Sequence, residues 1–334
     1  MTDRFARALD DLRRKYVPDR RLGVFEVSES GGALTGATTS REALLALRAL
    51  AAEAGLGTEV RQLPDASVGN GTAAVVTAAV APLGDHPEVS APRVTEGLHG
   101  EPLHVLERRE GWLRVRTGDG YHAWIHAGYV AVGPAHWQED WVGRATARSL
   151  GVALQCDGDR MRLPVGARVA WHRDGRVELA DGRIARVVEG EVRAESEVRA
   201  EARLVAAPEI GLRWYGGAPY LWGGRSDWGL DCSGFVQAVH GARGVVLPRD
   251  SDQQFGSGRA VPVTADGAGY HSGDLLFFTE QGGGRVSHVA MWVGAGRIAH
   301  ATLTRGGLVT EDLFADVPRL RRMRDHLVGV RRVG

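Results

Sequence analysis

The stretch Tyr220-Leu-Trp-Gly-Gly-Arg-Ser-Asp-Trp-Gly-Leu-Asp-Cys-Ser-Gly-Phe235 places a cysteine between a glycine-rich loop and a run, Ser233 to His240, that predicts a helix. A thiol in the first turn of a helix faces unpaired backbone N–H groups and the positive end of the helix dipole. Both favour the thiolate, which is the nucleophilic form of cysteine. Cys232 is therefore a candidate nucleophile, and its chemistry requires a histidine partner.

The bulk properties of the chain describe an ordinary globular protein. Its 334 residues carry no net charge, so the sequence predicts no nucleic-acid partner, and it gives no indication of an oligomeric state. Cys156 and Cys232 cannot form a disulfide framework, although a single disulfide between them remains open. Residues 1–11 lack the apolar core of a signal peptide, and no run approaches the roughly 20 apolar residues of a membrane span. We therefore expect a cytoplasmic protein with reduced thiols and no membrane contact.

Residues 1–70 predict a small α/β domain, whose role the sequence does not indicate. Apolar side chains recur at helical spacing over residues 2–16, and Leu22–Val27 has the composition of a strand. A capping sequence at Thr39 opens a second helix that runs to about Ala54, and a strand follows at Thr58–Leu63. No cluster of catalytic residue types falls in this part of the chain.

The rest of the chain predicts three further domains. Short alternating runs bounded by glycine predict a small SH3-like β-barrel over 71–133, and a weaker series of the same kind predicts a second over 134–205. Residues 189–201 indicate a solvated linker or a short helix. Residues 206–334 alternate helical and strand patterns, which is typical of an α+β domain. A basic cluster at 319–324 is expected to be a solvated face.

A predicted hairpin supplies histidines for Cys232. His288 lies in one strand-like run and His300 in the next, with a glycine turn between them. We expect the two side chains to lie nearly opposite each other on one face, within hydrogen-bonding reach. That geometry predicts a Cys–His–His triad, in which His288 takes the thiol proton and His300 orients the His288 ring. A metal site made by Cys232, His288 and His300 is the alternative, disfavoured because no fourth ligand accompanies them.

Six ordered motifs in residues 206–334 resemble the catalytic domain of NlpC-type cysteine peptidases, which are papain-like enzymes that cut bacterial cell-wall peptides. The resemblance implies Cys232 as nucleophile, His288 as base, His300 as the orienting residue and Tyr220 as a hydroxyl beside the thiolate or oxyanion. It implies neither a cofactor nor a metal. The motifs are Tyr220-x-Trp-Gly-Gly, Asp231-Cys-Ser-Gly-Phe235, Leu247-Pro-Arg-Asp-Ser251, Gly273-Asp-Leu-Leu-Phe-Phe278, Ser287-His-Val289 and His300-Ala.

The two SH3-like domains resemble those of one subgroup of this family, the γ-D-glutamyl-L-diamino acid endopeptidases. Members of that subgroup cut short wall peptides that begin with a free L-alanine, so the resemblance implies a role in recycling such peptides. The ammonium group of the substrate needs acceptors and a nearby negative charge. The residues that the resemblance implies for it are Asp231, Ser233 and Ser251 of the catalytic domain and Tyr121 and Glu101 of the first SH3-like domain, with Glu96 or Glu88 as alternatives to Glu101.

Two other functions remain open on the sequence alone. The same triad could serve an acyltransferase or an amidase that acts on another amide, because only the group that attacks the thioester differs. The SH3-like domains could also tether a wall-binding protein whose catalytic site is vestigial. Reaction of Cys232 with iodoacetamide would separate the active from the vestigial case.

Overall fold

A computed structural model describes residues 3–69, 71–172, 174–280 and 283–334. Met1, Thr2 and Asn70, which fall in the predicted first domain, lie outside the described residues. The fold is α+β, as the sequence predicts. The chain divides into two compact units, and each is described by itself. The first comprises Met1–Val75, Gly84–Pro92 and Pro102–Gln138, and the second comprises Val76–Leu83, Arg93–Glu101 and Glu139–Gly334.

The helices of the described residues are mostly short and amphipathic. No helix among them is long and apolar enough to cross a membrane. They are α1 (Asp3–Tyr16), α2 (Arg41–Glu53), α3 (Ala135–Arg144), α4 (Glu195–Leu204), α5 (Ala207–Tyr215), α6 (Cys232–Ala242), α7 (Ser251–Gln254) and α8 (Pro318–Asp325).

The strands are short and belong to several separate sheets. Those that precede α4 are β1 (Phe25–Ser30), β2 (Ala33–Thr38), β3 (Gly57–Gln62), β4 (Ala73–Val76), β5 (Val80–Gly84), β6 (Arg93–Leu98), β7 (Pro102–Arg109), β8 (Trp112–Arg116), β9 (His122–His126), β10 (Val130–Gly133), β11 (Ala147–Ser149), β12 (Val152–Cys156), β13 (Asp159–Leu163), β14 (Arg168–Trp171), β15 (Arg176–Glu178), β16 (Ile184–Glu189) and β17 (Val192–Ala194). Those that follow it are β18 (Arg225–Ser226), β19 (Gly229–Leu230), β20 (Arg259–Val261), β21 (Leu275–Thr279), β22 (Val286–Gly294), β23 (Arg297–Thr302), β24 (Gly307–Asp312) and β25 (Leu327–Arg332).

The first unit joins a small α/β layer to a strand meander. β1 pairs antiparallel with β2, and β2 pairs parallel with β3, while α1 and α2 cover the sheet through a core that includes Leu9, Leu34 and Leu47. The Ser40 side chain caps α2 by accepting from the Ala43 N–H. The strands β4, β7, β8 and β9 then pair antiparallel in that order. The sequence predicted both helices and the strand β3, but it missed β2.

In the second unit, β11 to β17 form a seven-stranded antiparallel sheet in the order β13-β12-β16-β15-β14-β11-β17. Its strands enclose an apolar core that includes Leu154, Val169 and Leu179. Helix α4 begins at Glu195, so the structure has a short helix at the end of the segment for which the sequence left linker or helix open. The division into four domains stays a prediction.

A six-stranded sheet in the order β20-β25-β21-β22-β23-β24 carries the candidate site. One face packs against α5 and α6 through Phe235, Phe277 and Val289, and the other face holds a second core around Ala290 and Trp292. Alternate residues of β22 therefore lie in different cores, as the two-residue period of a strand requires. This packing sets the N-terminus of α6 against the middle strands of the sheet.

Candidate active site

Cys232 is the first residue of α6, and it is 8% exposed. Asp231 caps the helix with extended backbone angles, and its side chain accepts from the Gly234 N–H at 2.7 Å. A side chain at position 234 would collide with the Gly224 carbonyl oxygen, which explains the glycine there. Both Cys156 and Cys232 are free thiols, so the disulfide that the sequence left open does not form.

Burial decides the charge state of the Cys232 thiol. Burial, followed by the Asp231 carboxylate, raises the pKa to about 12, although the backbone N–H groups of Val289 and Ser233 and the Arg249 guanidinium act in the opposite direction. The helix start favours the thiolate, as expected, because the Ser233 N–H lowers the pKa, but the net shift is upward. The helix N–H groups are present, but the loss of water around the sulfur outweighs them. The resting group is a thiol that needs a base.

His288 and His300 meet in the β22–β23 hairpin, as the sequence predicts. His288 Nε2 lies 2.8 Å from His300 Nδ1. The two histidines do not lie directly opposite each other, whereas the sequence predicts that they lie nearly opposite. The pairing of Met291 with Ala299 puts Ala290, and not His288, opposite His300. The two rings thus meet diagonally, which ring side chains can do across adjacent strands. Burial, followed by the adjacent His300, lowers the pKa of the half-buried His288 to about 3, so its ring is neutral.

The thiol lies beside the backbone of this histidine strand. Cys232 and Val289 pack in one buried core, and Val289 directly follows His288. The bond to His300 occupies Nε2 of His288 and leaves Nδ1 as the ring nitrogen that can take a proton. A buried thiol and a neutral imidazole can act as a nucleophile and its general base when the ring nitrogen reaches the sulfur.

Glu311 extends the histidine pair, and the sequence analysis missed it. Its Oε2 lies 2.9 Å from His300 Nε2, and its Oε1 pairs with Arg319. These bonds, from His300 first and then from Arg319, lower the pKa of Glu311 to about 2 against the effect of burial. The basic cluster at 319–324 is accordingly not only a solvated face. The available signal was a glutamate in the strand-like run after His300.

Tyr220 lies at the edge of the same site. Its backbone N–H donates to the Gly306 carbonyl at 2.8 Å, and its ring packs partly buried against the core that contains Cys232. Burial, followed by the charges of Cys232 and Asp231, raises the pKa of the hydroxyl to about 12. The hydroxyl is thus protonated, and it lies within electrostatic range of Cys232 and Asp231. Its catalytic role stays a prediction.

Arg249 forms a buried ion pair with the residue that caps α6. It is 1% exposed, and its Nη2 and Nη1 lie 2.7 Å and 3.1 Å from Oδ2 and Oδ1 of Asp231. Asp231 also accepts from the Gly223 N–H and from the Ser233 hydroxyl, which itself accepts from Arg249. Arg249 lies inside the Leu-Pro-Arg-Asp-Ser motif, but the sequence analysis gave it no role. Direct contact of Asp231 or Ser233 with a substrate ammonium stays a prediction.

Ser251 is buried at the first position of α7. Helix α7 is hydrogen-bonded to α6, since the Gln254 side-chain amide donates to the Ser233 carbonyl at 3.0 Å. This places Ser251 on an element that contacts the start of α6, while its role as an acceptor for the ammonium stays a prediction. The N-cap of α7 is Asp250, whose side chain takes part in a capping box with Gln253.

The candidate glutamates differ in their surroundings. Glu96 is 2% exposed, its Oε2 accepts from the Arg225 N–H at 3.1 Å, and its Oε1 pairs with Arg93. Burial raises the pKa of Glu96, although the nearby cations Arg93, Arg225 and Arg249 oppose the shift. Glu101 pairs with Arg225 and accepts from the Leu98 N–H at 3.0 Å. Glu96 therefore lies close to the Arg249 network, which the sequence did not indicate.

Tyr121 and Glu88 belong to the first compact unit. Tyr121 is buried, and its backbone N–H donates to Asp119 at 3.1 Å, whereas Glu88 is exposed in a loop. The role of Tyr121 in closing a substrate pocket stays a prediction. Within the described ranges, no group of three or more His, Cys, Asp or Glu side chains is arranged to hold a metal ion, so the structure gives the alternative metal site no support.

A thiol at a helix start, packed on an antiparallel sheet that carries two hydrogen-bonded histidines, is the arrangement of the cysteine-peptidase class. Residues 217–332 match the model of the NlpC/P60 family, and residues 83–128 match that of the bacterial dipeptidyl-peptidase Sh3 domain. The chain thus carries an NlpC/P60 domain together with an SH3 domain of the dipeptidyl-peptidase type.

Several known proteins are similar to the chain. The γ-D-glutamyl-L-lysine dipeptidyl-peptidase of Bacillus subtilis (strain 168) is 44% identical over 89 residues, which are 26% of this chain and 29% of that protein. Dipeptidyl-peptidase 6 of Lysinibacillus sphaericus is 28% identical over 250 residues, which are 69% of this chain and 88% of that protein. The crystal structure of an NlpC/P60 family protein from Bacillus cereus ATCC 10987 has a TM-score of 0.64 at 21% identity and covers 78% of this chain and 99% of that one.

The stronger sequence matches are local. The aligned segments span 29% and 25% of the length of the γ-D-glutamyl-L-lysine dipeptidyl-peptidases of Bacillus subtilis and of Bacillus cereus (strain ATCC 10987 / NRS 248). The structural similarity at 21% identity covers more of the chain and shows the fold. The family of the catalytic domain is therefore established, and the activity of the whole chain is a separate question.

Proposed function

We propose that the chain is a cysteine endopeptidase that hydrolyses the γ-D-glutamyl-L-diamino acid bond of short wall peptides with a free N-terminal L-alanine. The observation that carries the proposal is the hydrogen-bonded pair of His288 and His300, together with the buried thiol of Cys232, which packs in one core with Val289, the residue after His288. The similarity to dipeptidyl-peptidases named for this bond supports the substrate class. The recycling role and the cytoplasmic location stay predictions.

In the proposed reaction, Nδ1 of His288 takes the thiol proton as the sulfur of Cys232 attacks the γ-carbonyl carbon. The tetrahedral adduct collapses, the C–N bond breaks, and the leaving amine of the diamino acid takes the proton from His288. A water molecule, deprotonated by the same ring, then cleaves the thioester and frees the dipeptide and the thiol. The Tyr220 hydroxyl, protonated because its pKa is raised to about 12, is a proposed hydrogen-bond donor to the oxyanion.

For the substrate ammonium we propose Glu96 as the acidic partner, in preference to Glu101. A buried carboxylate whose pKa is raised is under-compensated by its neighbours, so it gains from an incoming cation. Both carboxylates pair with an arginine and accept from a backbone N–H, and we prefer Glu96 because it lies close to Arg249. Asp231, Ser233 and Ser251 remain the proposed lining of this pocket.

Mass spectrometry of the products from defined tripeptides tests the function. The set contains L-Ala-γ-D-Glu peptides that end in L-lysine or diaminopimelate, each with a free and with an N-acetylated alanine. We expect the free peptides to give L-Ala-D-Glu and the diamino acid, the acetylated ones to react far more slowly, and Cys232→Ala to be inactive. Cys156→Ala, which removes the other buried thiol, is the matched control and should retain activity. Undiminished cleavage by folded Cys232→Ala would exclude the proposal.

The same assay separates the alternative functions. An acyltransferase or amidase would leave the tripeptides intact while Cys232 still reacts with iodoacetamide. A binding protein with a vestigial site would show neither cleavage nor rapid alkylation.

A further inference from the structure

Glu311 continues the hydrogen-bonded line that begins at His288. His288 Nε2 and His300 Nδ1 are 2.8 Å apart, and His300 Nε2 and Glu311 Oε2 are 2.9 Å apart. The side chain of His300 is 1% exposed and that of Glu311 is 12% exposed, so water has little access to either bond. Bonds shielded from water in this way fix the positions of their protons more firmly than exposed ones.

The direction of each bond in the line follows from the charge of Glu311. An ionised carboxylate can only accept, and the bonds from His300 and Arg319 keep this one ionised. His300 must therefore carry its proton on Nε2. When the His300 ring is neutral, it has a single N–H, so its Nδ1 accepts and Nε2 of His288 donates to it. The lone pair of His288 then lies on Nδ1, the nitrogen left for the proton of Cys232.

We propose that Glu311 is a positioning residue that fixes the tautomers of His300 and His288, so that Nδ1 of His288 is the base for Cys232. The assignment of a base rests on the proposed function, whereas the tautomers do not. When Nδ1 of His288 takes the thiol proton, the ring becomes an imidazolium that still donates through Nε2 to His300. No proton needs to reach Glu311, whose negative charge stabilises the cation through the intervening ring.

Two arginines hold the carboxylate in this role. Arg319 pairs with Oε1 of Glu311, the oxygen that His300 does not use, and Arg305 lies 3.6 Å from the same oxygen. Oε2 is thereby kept for the histidine. The pattern explains why Arg319 of the basic cluster turns towards the sheet, since an uncompensated carboxylate against the His300 ring would be costly to bury.

Nitrogen NMR of the full chain, labelled with 15N-histidine, tests the tautomers directly. In the wild-type protein we expect both His288 and His300 to carry the proton on Nε2. In Glu311→Gln, whose amide can donate as well as accept, we expect this preference to be lost. Asp312→Asn is the matched control, because it removes the adjacent carboxylate of β24, which is exposed and bonds to the Phe314 N–H, and it should leave both tautomers unchanged.

A proton on Nδ1 of His288 in the wild-type protein would overturn the proposal. That measurement needs no substitution, so it remains decisive if Glu311→Gln does not fold. It also needs no substrate, and its outcome is therefore independent of whether the proposed peptidase activity exists.

The rate of Cys232 alkylation by iodoacetamide and the kinetics of peptide cleavage give a second readout. We expect Glu311→Gln to lower both the alkylation rate and kcat by about 10- to 100-fold, with KM changed little, because the base is misoriented but the substrate pocket is intact. Glu311→Asp keeps the negative charge, so its alkylation rate and kcat should fall between those of the wild-type protein and those of Glu311→Gln. If folded Glu311→Gln shows wild-type rates, Glu311 is not a positioning residue. If Glu311→Gln loses Cys232 alkylation but the wild-type protein does not cleave the peptides, only the proposed substrate is refuted.

Discussion

His240, a buried histidine near the end of α6, makes the stability of the second unit depend on pH. The residue is 2% exposed, and neither of its ring nitrogens has a hydrogen-bond partner among the described residues. Burial, followed by the charge of Arg243, lowers the pKa of His240 to about 4. The imidazolium form is therefore disfavoured in the folded protein and freely formed in the unfolded chain.

The size of the effect follows from the two pKa values. The ordinary pKa is 6.5 and the folded one is about 4, so between these pH values the unfolded chain binds a proton that the folded unit does not. Stability then falls as the pH falls through this window. With these values, proton binding to His240 in the unfolded chain lowers the free energy of unfolding by about 2 kcal/mol at pH 5 and by about 3 kcal/mol at pH 4. The loss is almost zero above pH 7.

Replacement of His240 by leucine, which does not ionise, should remove this cost. We expect His240→Leu to exceed the wild-type free energy of unfolding by about 2 kcal/mol more at pH 5 than at pH 7.5. His288, whose pKa is lowered to about 3, destabilises the acid form in the same way, but it is present in both proteins and cancels in the difference. The difference at pH 7.5 measures packing alone and serves as the internal control.

The assay must report on the unit that contains His240, because the chain has two compact units. Hydrogen exchange of the amides of α6, followed by mass spectrometry in a urea series, gives that local free energy at each pH. The comparison is made between the two proteins at equal pH, so the intrinsic pH dependence of exchange drops out. A stability difference that stays constant from pH 7.5 to pH 4.5 would show that the pKa of His240 is not lowered in the folded unit.

Two further predictions concern the charged groups around the start of α6. Arg249→Met should lower the free energy of unfolding by about 3 to 5 kcal/mol in urea denaturation, because it leaves the Asp231 carboxylate buried without its cation. A second substitution, Asp231→Asn, should recover most of this lost stability. An equal loss of stability in the double variant would contradict the explanation. Glu96→Gln should raise KM for the free-amine tripeptide by roughly 10- to 100-fold, the loss of one charge-assisted contact, and leave the acetylated peptide unaffected. Glu101→Gln is the matched control, and a larger effect there would return the role to Glu101.

The meeting of His288 with His300, and the position of Cys232 at a helix start, could be predicted because their signals are local. The capping residue, the cysteine and the helical run are adjacent in the sequence, and the histidines lie on the two arms of one short hairpin. A strand's two-residue period and a glycine turn were enough to bring the rings together. The diagonal offset was missed because the register depends on the irregular pairing between Trp292 and Gly294, which no residue pattern reveals.

Other parts of the site depend on contacts between distant segments. Arg249 reaches Asp231 across 18 positions, and Glu96 comes from a strand more than a hundred residues before Arg225. A charged residue is most often solvated, so the sequence pattern indicates no role for Arg249 and predicts that the arginines near Arg319 lie at the surface. Only the folded chain shows which charges are buried and must therefore be paired.

The Asp231–Arg249 pair resolves a conflict at the start of α6. The helix needs a cap, and an aspartate caps well, but its negative charge one residue before the nucleophile raises the pKa of the Cys232 thiol. Arg249 opposes that effect and also occupies both carboxylate oxygens. A neutral cap such as asparagine would avoid the charge, yet it would leave Arg249 buried without its anion. Asp231 and Arg249 therefore act together, because the aspartate caps α6 and the arginine compensates its charge. Arg249→Met alone should slow Cys232 alkylation, because the charge of Asp231 is then unopposed, and the double replacement Arg249→Met with Asp231→Asn should slow it less.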